Sequence, residues 1–445
     1  MKITSYKFLV TNSLFLFLMC NVNAQTNPNP STAVDAVIEA EMNTEYLPGV
    51  ATVIVKDGKI VWIESYGYAD VENSVPVKDS TIFLLASLSK LFTGTALMQQ
   101  KDNSKFNLHD GIDQYLPWVL EIPGFESESV TFHQLMTHTS SIADNPDVMG
   151  DYYDYPDPTI SLSDCMQRYF TETGADYNAD LNFLPNSPGS IYEYSNMATA
   201  LSGYIVEWAS GYSFDQYCNE NIFNRLCMNN TSWYFSDLDS AQVARPYQYD
   251  SGNFTPYAHY GFADYPNGQL RSNTLDLANF MIAYLNGGNF GGNAILSSSS
   301  IDEMWSSQIP TIDQHQGLNW YQEEIFHSGG SNWLWGHNGG ESGASTDMYL
   351  DPVNNIGICV LTNGEGDGLY ICDELYDYAL SLNSSVLSIT PECATTGIDE
   401  TVAVPLKKEL IKIVDFMGRE TSLKTNTPLI KMYSDGSVEK VFIAE

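Results

Sequence analysis

Ser87 and Lys90 stand three residues apart in the segment Ser87-Leu88-Ser89-Lys90, at the start of a predicted helix that runs to about Gln100. Helical geometry places two such side chains on one face, one turn apart. A serine hydroxyl is a weak nucleophile at neutral pH and needs a base within hydrogen-bond reach. A lysine can be that base when burial lowers the pKa of its amine. The pair predicts acyl transfer at Ser87, although the same spacing also arises by chance around an ordinary surface lysine.

Two further segments carry groups that suit the same chemistry. Tyr194-Ser195-Asn196 supplies a phenol that can pass a proton to a leaving group and an amide that can bind a substrate amide. Gly336-His337-Asn338-Gly339-Gly340 supplies an imidazole and glycines that let a substrate backbone approach closely. Backbone N–H groups on such a segment can bind an oxyanion. Taken singly, the first segment could be a buried tyrosine in a loop and the second a glycine-rich turn.

The order and separation of the three segments resemble those of the serine β-lactamase and penicillin-binding-protein superfamily. The branch in question holds class C β-lactamases, D-alanyl-D-alanine carboxypeptidases and related esterases, and the likeness covers about residues 33–383. The flanking segments that also resemble it are Phe83 to Leu97, Val130 to Ile142, Ser272 to Leu277 and Gly357 to Asn363.

This resemblance implies a role for each motif residue. Ser87 is then the nucleophile, Lys90 its base and Tyr194 the second proton-transfer group. The substrate-binding residues that it implies are Asn196, His337, Gly339 and Gly340, with the N–H groups of Ser87 and Gly340 as the oxyanion hole. The family needs no metal or organic cofactor, and none is expected.

The departures from the family pattern bear on the substrate. His337 stands where class C β-lactamases carry lysine, and Asn338 stands where a small hydroxyl residue is usual. Ser141 and Cys227 replace glycines in flanking loops and concern loop geometry. The expected function is therefore a secreted serine hydrolase acting through an acyl-enzyme on a small amide, a D-amino-acid peptide or an ester. The alternatives are a β-lactamase and a non-catalytic protein of the same fold that binds cell-wall peptides.

The elements that must position these residues predict an α/β (α+β) fold. A helix is expected over Ala33 to Met42, followed by a β-hairpin of Val50 to Val55 and Ile60 to Ser65 around Asp57-Gly58. The region from about 105 to 310 has mostly helical patterning, including Leu275 to Leu285. Strands return at Ala344 to Leu350 and Ile356 to Leu361 before a closing helix, Leu369 to Leu382. Strands near both ends predict one antiparallel sheet flanked by helices, with a mostly helical insertion.

The two ends of the chain predict export. Residues 1–24 combine Lys2 and Lys7 with a short apolar stretch and the small-residue site Val22-Asn23-Ala24, which is typical of a signal peptide. Residues 25–32 form a linker, residues 33–383 the hydrolase domain and residues 384–400 a second linker. Residues 401–445 resemble the sorting domains of type IX secretion, through Lys408 to Glu420 and Gly436 to Glu445. The secretion machinery is therefore an expected partner, with a secreted location and no membrane span.

Composition and residue spacing bear on which other binding partners, disulfides and metal sites are to be expected. The 445 residues include 19 basic and 55 acidic ones, a net charge of −36, and such a surface repels nucleic acid. Besides Cys20, six cysteines remain, none at the spacing of a zinc or thioredoxin-type pair, so both disulfides and buried thiols stay open. His133 and His138 lack the His-Glu-x-x-His pattern, and a structural or cleft role is favoured over zinc.

Overall fold

The main architectural element is a seven-stranded antiparallel sheet in the computed structural model, which describes residues 27–382, 387–391, 410–414, 421, 428–433 and 438–442. The strands up to residue 362 are β1 Gly49–Lys56, β2 Lys59–Asp70, β3 Val75–Pro76, β4 Phe83–Leu84, β5 Tyr153–Asp154, β6 Tyr247–Asp250, β7 Asn253–Pro256, β8 Gly261–Phe262, β9 Arg271–Ser272, β10 Asn289–Phe290, β11 Asn293–Ala294, β12 Tyr321–His327, β13 Gly330–Glu341, β14 Ala344–Asp351 and β15 Ile356–Thr362.

In chain order, most of the α-helices come between the sheet strands β1–β3 and the sheet strands β12–β15. They are α1 Thr32–Thr44, α2 Lys90–Asp102, α3 Phe132–Met136, α4 Pro146–Met149, α5 Leu162–Phe170, α6 Asn196–Ser210, α7 Phe214–Cys218, α8 Asn224–Leu226, α9 Thr274–Leu285, α10 Ser298–Met304 and α11 Leu369–Ser381. None of the helices in the described part of the chain is long and apolar enough to cross a membrane.

Strands near both ends of residues 33–383 build the sheet, which confirms the predicted fold class. The strand order is β12-β13-β14-β15-β1-β2-β3, and the register of β1 on β15 runs from Val50 opposite Thr362 to Lys56 opposite Ile356. The predicted hairpin is also confirmed. Asp57 and Gly58 both have positive φ, +51° and +73°, as a two-residue turn between twisted strands requires.

The sheet is buried on both faces, as the alternating directions of the β1 side chains show. Ala51, Val53 and Val55 belong to one buried apolar cluster, which includes residues of α2 and α9. Val50 and Ile54 belong to a second cluster, which includes residues of α1 and α11. Because successive side chains of a strand point to opposite faces, the sheet lies between two helical layers.

Helix α2 is the central element of the fold, since every residue from Lys90 to Gln100 is buried. The sequence predicted one continuous helix from about Ser87, and this is corrected at its start. Ala86–Ser89 form a 3₁₀ turn and the α-helix begins at Lys90. A second correction concerns the glycine-rich segment 336–340. It lies inside β13, which pairs with β12 in a hairpin that the sequence did not predict.

The cysteines divide between the two possibilities left open by the sequence. Cys165, Cys218, Cys359 and Cys372 are buried free thiols, whereas Cys227 is disulfide-bonded.

The residues from Ala394 to Glu445 form a separate unit. Its strands β16 Leu410–Val414, β17 Pro428–Tyr433 and β18 Val438–Phe442 make a three-stranded antiparallel sheet in that order. Much of the segment that resembles a sorting domain, and the whole predicted signal peptide, lie outside the described residues. Those interpretations and the predicted domain boundaries stay predictions.

Candidate active site

Ser87 lies in the turn that joins β4 to α2. The backbone N–H of Leu85 donates to the carbonyl of Leu270, and the Ser89 hydroxyl accepts from the N–H of Leu270 at 3.1 Å. Ala86 has a φ of +49°, which a residue with a Cβ adopts only at some cost in free energy. The turn is therefore held on both sides, and it leaves the Ser87 side chain only partly buried at a cavity wall.

The Lys90 amine lies 2.9 Å from the Ser87 Oγ and is fully buried. It also donates to the side-chain oxygen of Asn196 and to the backbone oxygen of Asn267, both at 2.7 Å. Burial lowers the pKa of Lys90 to about 7, against the nearby charges of Asp144, Asp264 and Glu341 that raise it. A neutral amine is thus accessible near physiological pH, and its lone pair can accept the Ser87 proton.

Tyr194 and Asn196 are placed by the amino end of α6. The Ser195 hydroxyl caps the helix by accepting from the N–H of Ala198 at 3.0 Å. The phenol of Tyr194, just before the cap, lies beside the Ser87 side chain, and the Lys90 amine lies 4.9 Å from the centre of its ring. The structure thus brings the predicted hydroxyl, amine and phenol together. Burial raises the pKa of Tyr194 well above its usual range, so the phenol keeps its proton near neutral pH.

Asp144 holds the same helix end, and sequence reasoning missed it. Its carboxylate accepts from the backbone N–H groups of Asn196 and Met197, both at 3.0 Å, and from the Asn196 side-chain amide at 2.8 Å. The favourable position of a carboxylate at a helix amino end adds to these bonds. Because its amide donates to Asp144, the Asn196 oxygen points to Lys90. One hydrogen of that amide remains for a substrate.

Asp264 and Asn267 support Lys90 from the opposite side and were also missed. The Asn267 side chain donates to the Asp264 carboxylate at 2.7 Å, and the Asn267 carbonyl is the third acceptor of Lys90. Burial and the neighbouring Asp144 raise the pKa of Asp264 to about 7. The signal available in the sequence was only a polar run around Asp264-Tyr265-Pro266-Asn267.

The edge of β13 forms the facing wall of the site. The strand β12 starts opposite Gly336, so residues 337–341 are unpaired on that side. The N–H of Asn338 points to this free edge, where it donates to the Tyr321 hydroxyl at 3.1 Å. Amide directions alternate along an antiparallel strand, so the N–H of Gly340 points to the same edge. This direction suits the predicted oxyanion hole.

Gly339 faces inward, toward the nucleophile turn. A Cβ on Gly339 would lie 2.5 Å from the Thr346 hydroxyl and 3.0 Å from the Ser87 nitrogen, whereas a Cβ on Gly340 would meet nothing within 4 Å. The Thr346 hydroxyl donates to the Leu85 carbonyl at 2.7 Å and ties the same turn to β14. The absence of a side chain at Gly339 thus sets how closely the strand approaches Ser87.

His337 is buried on the same strand. Burial and the nearby Lys90 lower its pKa to about 3, and Nδ1 contacts the carbonyl oxygen of Asn338. The ring is therefore neutral at physiological pH and does not supply a positive charge to a substrate carboxylate. Its centre lies 6.1 Å from that of the Tyr194 ring.

His138 is another buried imidazole in the site, 4.5 Å from Tyr194 between ring centres, and its Nδ1 accepts from the N–H of Ser195 at 3.2 Å. His133 instead contacts Gln308. Within the part of the chain that is described, no group of three or more His, Cys, Asp and Glu side chains could hold a metal ion.

Two cavities lie at the site, and one of them is lined by Ser87. The acyl cavity, as we name the one of about 460 Å³, is lined by Ser87, Asn196, Gly340 and Glu341 among others. The Tyr194 cavity, of about 260 Å³, is lined by Tyr194, His337 and their neighbours.

Substituting Gly339 by alanine tests the close approach of β13 to the nucleophile turn. We expect Gly339→Ala to lower the rate of Ser87 acylation on the order of 100-fold, since displacement of a reacting group by about 1 Å costs that much. Gly340→Ala has room for its Cβ and should keep the thermal stability of the wild type within about 0.5 kcal/mol. Full reactivity of Gly339→Ala would show that the approach is not needed.

Burial of Lys90 also predicts how stability depends on pH. Between about pH 7 and 10.5 the unfolded chain binds more protons at Lys90 than the native protein does, so rising pH favours the native state. The free energy of unfolding of the wild type minus that of Lys90→Met should rise by up to ~1.4 kcal/mol per pH unit in this window. Denaturant titrations from pH 6.5 to 9.5 measure the difference, and a constant or falling difference would contradict the burial.

Comparison with known proteins identifies the family of the chain. The family model described as Beta-lactamase matches residues 34–380. Protein flp of Staphylococcus aureus is 26% identical over 333 residues, which are 74% of this chain and 62% of that protein, so the chain spans less than two thirds of this relative.

Two solved structures share the fold. The octameric penicillin-binding protein homologue from Pyrococcus abyssi aligns with a TM-score of 0.63 and 23% identity, over 92% of this chain and 89% of that one. The D-amino acid amidase from Ochrobactrum anthropi SV3 aligns with a TM-score of 0.61 and 20% identity, over 79% and 99%. With the family model covering most of its length, the chain belongs to the Beta-lactamase family.

Proposed function

We propose that this protein is a serine hydrolase that acts through an acyl-enzyme at Ser87 on a small ester or amide, D-amino-acid amides and peptides included. The observation that carries the proposal is the fully buried Lys90 amine, 2.9 Å from the Ser87 Oγ and with its pKa lowered to about 7. A lysine kept only for structure has no need of a nucleophile as its neighbour. The solved structure that shares the fold is, by its name, a D-amino acid amidase, and its substrate class is one of those included in this proposal.

Acylation begins when neutral Lys90 takes the proton of the Ser87 hydroxyl. The oxygen of Ser87 then bonds to the substrate carbonyl carbon, and the carbonyl oxygen becomes an oxyanion near the N–H groups of Ser87 and Gly340. The charged Lys90 is stabilised meanwhile by the oxygens of Asn196 and Asn267, which accept its hydrogen bonds.

Tyr194 then acts as the proton donor. Because its phenol stays protonated near neutral pH, it can give its proton to the leaving oxygen or nitrogen as the bond from the carbonyl carbon breaks. The Lys90 proton replaces the one that Tyr194 lost. In deacylation a water molecule attacks the ester, its proton passes to the same groups, and Ser87 regains a hydrogen as the acid leaves. This assignment makes Lys90 the base and Tyr194 the acid.

The charges around the acyl cavity favour some acyl groups over others. Its described lining residues include Asp144, Asp264 and Glu341 and neither lysine nor arginine. Asp144 is occupied by α6, whereas Glu341 is half-exposed beside Gly340 and accepts from the Tyr153 hydroxyl at 2.9 Å. A neutral or cationic acyl group fits this cavity better than an anionic one. Because the described lining offers no lysine or arginine to a substrate carboxylate, the β-lactamase alternative is also less well supported.

The alternative of a non-catalytic peptide-binding protein is less well supported. Binding alone requires neither the costly burial of an amine nor a protonated phenol beside the same hydroxyl. We also propose that the protein works outside the cytoplasm, on the basis of its amino-terminal and carboxy-terminal sequence patterns.

Covalent labelling tests the proposed function directly. A fluorophosphonate should add its mass to the wild type once and not to Ser87→Ala, because only an activated serine reacts rapidly. Ser190→Ala, which removes an exposed hydroxyl far along the chain, should label like the wild type. A fluorescent penicillin should label weakly or not at all. If folded wild-type protein takes up neither probe, the binding alternative gains and the hydrolase is refuted.

Glu341→Gln tests the preference for acyl charge. Among p-nitrophenyl esters of 6-aminohexanoate, hexanoate and adipate, we expect the wild type to give the highest kcat/KM with the cationic acyl group and the lowest with the anionic one. Removal of the charge should reduce the ratio between those two about 30-fold, since a half-exposed charge contributes about 1 kcal/mol at this range, favourable with the cationic acyl group and unfavourable with the anionic one.

Glu365→Gln is the matched control, because Glu365 has similar partners, the Tyr257 hydroxyl and the N–H of Gly343, but does not line the cavity. A ratio that changes equally in both variants, or a wild-type preference for adipate, would count against the charge argument.

A further inference from the structure

The free edge of β13 differs from residue to residue in the hydrogen bonds that it offers to a substrate. Gly340 is exposed there and lines the acyl cavity with Ser87. Ser345, its partner in β14, donates its N–H to the Thr362 hydroxyl of β15, away from β13. The two members of such an antiparallel pair point their backbone groups in opposite directions, so the N–H and the carbonyl of Gly340 both point to the free edge. No described residue bonds to either group, so Gly340 can exchange two hydrogen bonds with one substrate residue.

Asn338, two residues before Gly340, points its backbone groups to the same edge, but both of them are already bonded. Its N–H donates to the Tyr321 hydroxyl at 3.1 Å, and its carbonyl accepts from Nδ1 of His337. A substrate main chain that reached Asn338 would have to displace these two partners. The edge is therefore open to main-chain pairing at Gly340 and closed at Asn338.

Tyr321, the first residue of β12, is held in this position from two sides. Its ring packs edge-on against the His337 ring, with 5.1 Å between the ring centres and 68° between the ring planes. Its hydroxyl lies 3.5 Å from that of Tyr349, which in turn donates to the buried carboxylate of Asp347 at 3.2 Å. The phenol therefore occupies a fixed place at the edge of β13.

The pairing pattern fixes which part of a substrate reaches the closed position. In the proposed mechanism the substrate carbonyl accepts from the Gly340 N–H, and the N–H of the same substrate residue can donate to the Gly340 carbonyl. Two residues that exchange both bonds in this way belong to antiparallel strands, so the substrate chain runs opposite to β13. The second residue after the scissile bond then falls opposite Asn338, where the Tyr321 phenol lies. Tyr194, which protonates the leaving atom, lines a cavity together with Asn338 and Tyr321, in agreement with this direction.

We propose that Tyr321 is a specificity-determining residue, which closes the β13 edge at Asn338 and restricts the site to amides and esters with a short leaving group. A leaving group of one residue or less departs without reaching the phenol, whereas a longer peptide main chain finds no partner there. This inference rests on the proposed serine hydrolase function. The chemistry is that already given, and Tyr321 takes part in no bond that forms or breaks.

Two glycyl esters that differ only in the length of the leaving alcohol test the proposal. The short ester releases glycolamide. The extended ester releases glycolylglycinamide, whose second residue has the N–H and the carbonyl needed to pair with Asn338. Both esters give the same glycyl-enzyme at Ser87, so deacylation is common to them and the ratio of their kcat/KM values reports the leaving group alone. We expect the wild type to give a kcat/KM for the extended ester no higher than that for the short one.

Tyr321→Phe removes only the hydroxyl and keeps the ring that packs on His337, so the protein should remain folded. The freed Asn338 N–H can then pair with the extended leaving group. The ratio of kcat/KM, extended over short, should therefore rise about fivefold, the equivalent of one neutral hydrogen bond. Tyr321→Ala, which also removes the ring, should raise the ratio at least as much. Loss of structure alone would lower both rates together and leave the ratio as it was.

Phe326→Ala is the matched control, because Phe326 is an exposed aromatic residue of the same strand and lines neither the acyl cavity nor the Tyr194 cavity. It should keep the wild-type ratio. A wild type that hydrolyses the extended ester faster than the short one would overturn the role of Tyr321 while Ser87 still reacts with a fluorophosphonate. So would a ratio that Tyr321→Phe and Tyr321→Ala both leave unchanged. Failure of Ser87 to react with either ester and with a fluorophosphonate would refute both proposals.

Discussion

Burial of the Lys90 amine away from water is the constraint on which the arrangement of the rest of the site depends. Burial of a charged ammonium costs several kcal/mol unless hydrogen bonds and nearby charges offset it. Here the side chains of Ser87 and Asn196 and the carbonyl of Asn267 accept from the amine, and three carboxylates lie close enough to raise its pKa again. The balance lowers the pKa of the amine from its ordinary value of 10.5 to about 7. Both the neutral and the protonated form of the amine are therefore populated near physiological pH.

The architecture explains how one amine meets so many partners. Helix α2 is buried along nearly its whole length, and Lys90 in its first turn has no exposed surface. The helical insertion supplies Asp144, Asn196 and Asn267, and the sheet supplies the free edge of β13. Gly339 permits the sheet edge to approach the nucleophile turn, and Asp144 fixes the end of α6. The site therefore forms only where the insertion meets the sheet, which requires strands from both ends of the hydrolase region.

Much of this arrangement could be predicted from the sequence, for definable reasons. The Asp57-Gly58 hairpin and the closing strands and helix have strong local signals in turn chemistry and periodicity. The Ser87, Lys90 and Tyr194 set was predicted because the order and separation of three segments resemble a known family, whereas each segment taken singly left another interpretation open. The hairpin of β12 and β13 was missed because its strands are rich in glycine, tryptophan and polar residues and do not alternate regularly. Asp144, Asp264 and Asn267 were missed because their roles arise from contacts across 50 to 180 residues of chain.

The dependence of Ser87 acylation on pH tests the central claim most directly, because it reports the protonation of the buried amine in the native protein. The second-order rate constant for fluorophosphonate labelling of the wild type should rise with pH through a single midpoint near 7 and level off above it, since neutral Lys90 is the reactive form. A rate that stays constant from pH 5.5 to 9, or that falls as pH rises through 7, would contradict the account of Lys90 as the base.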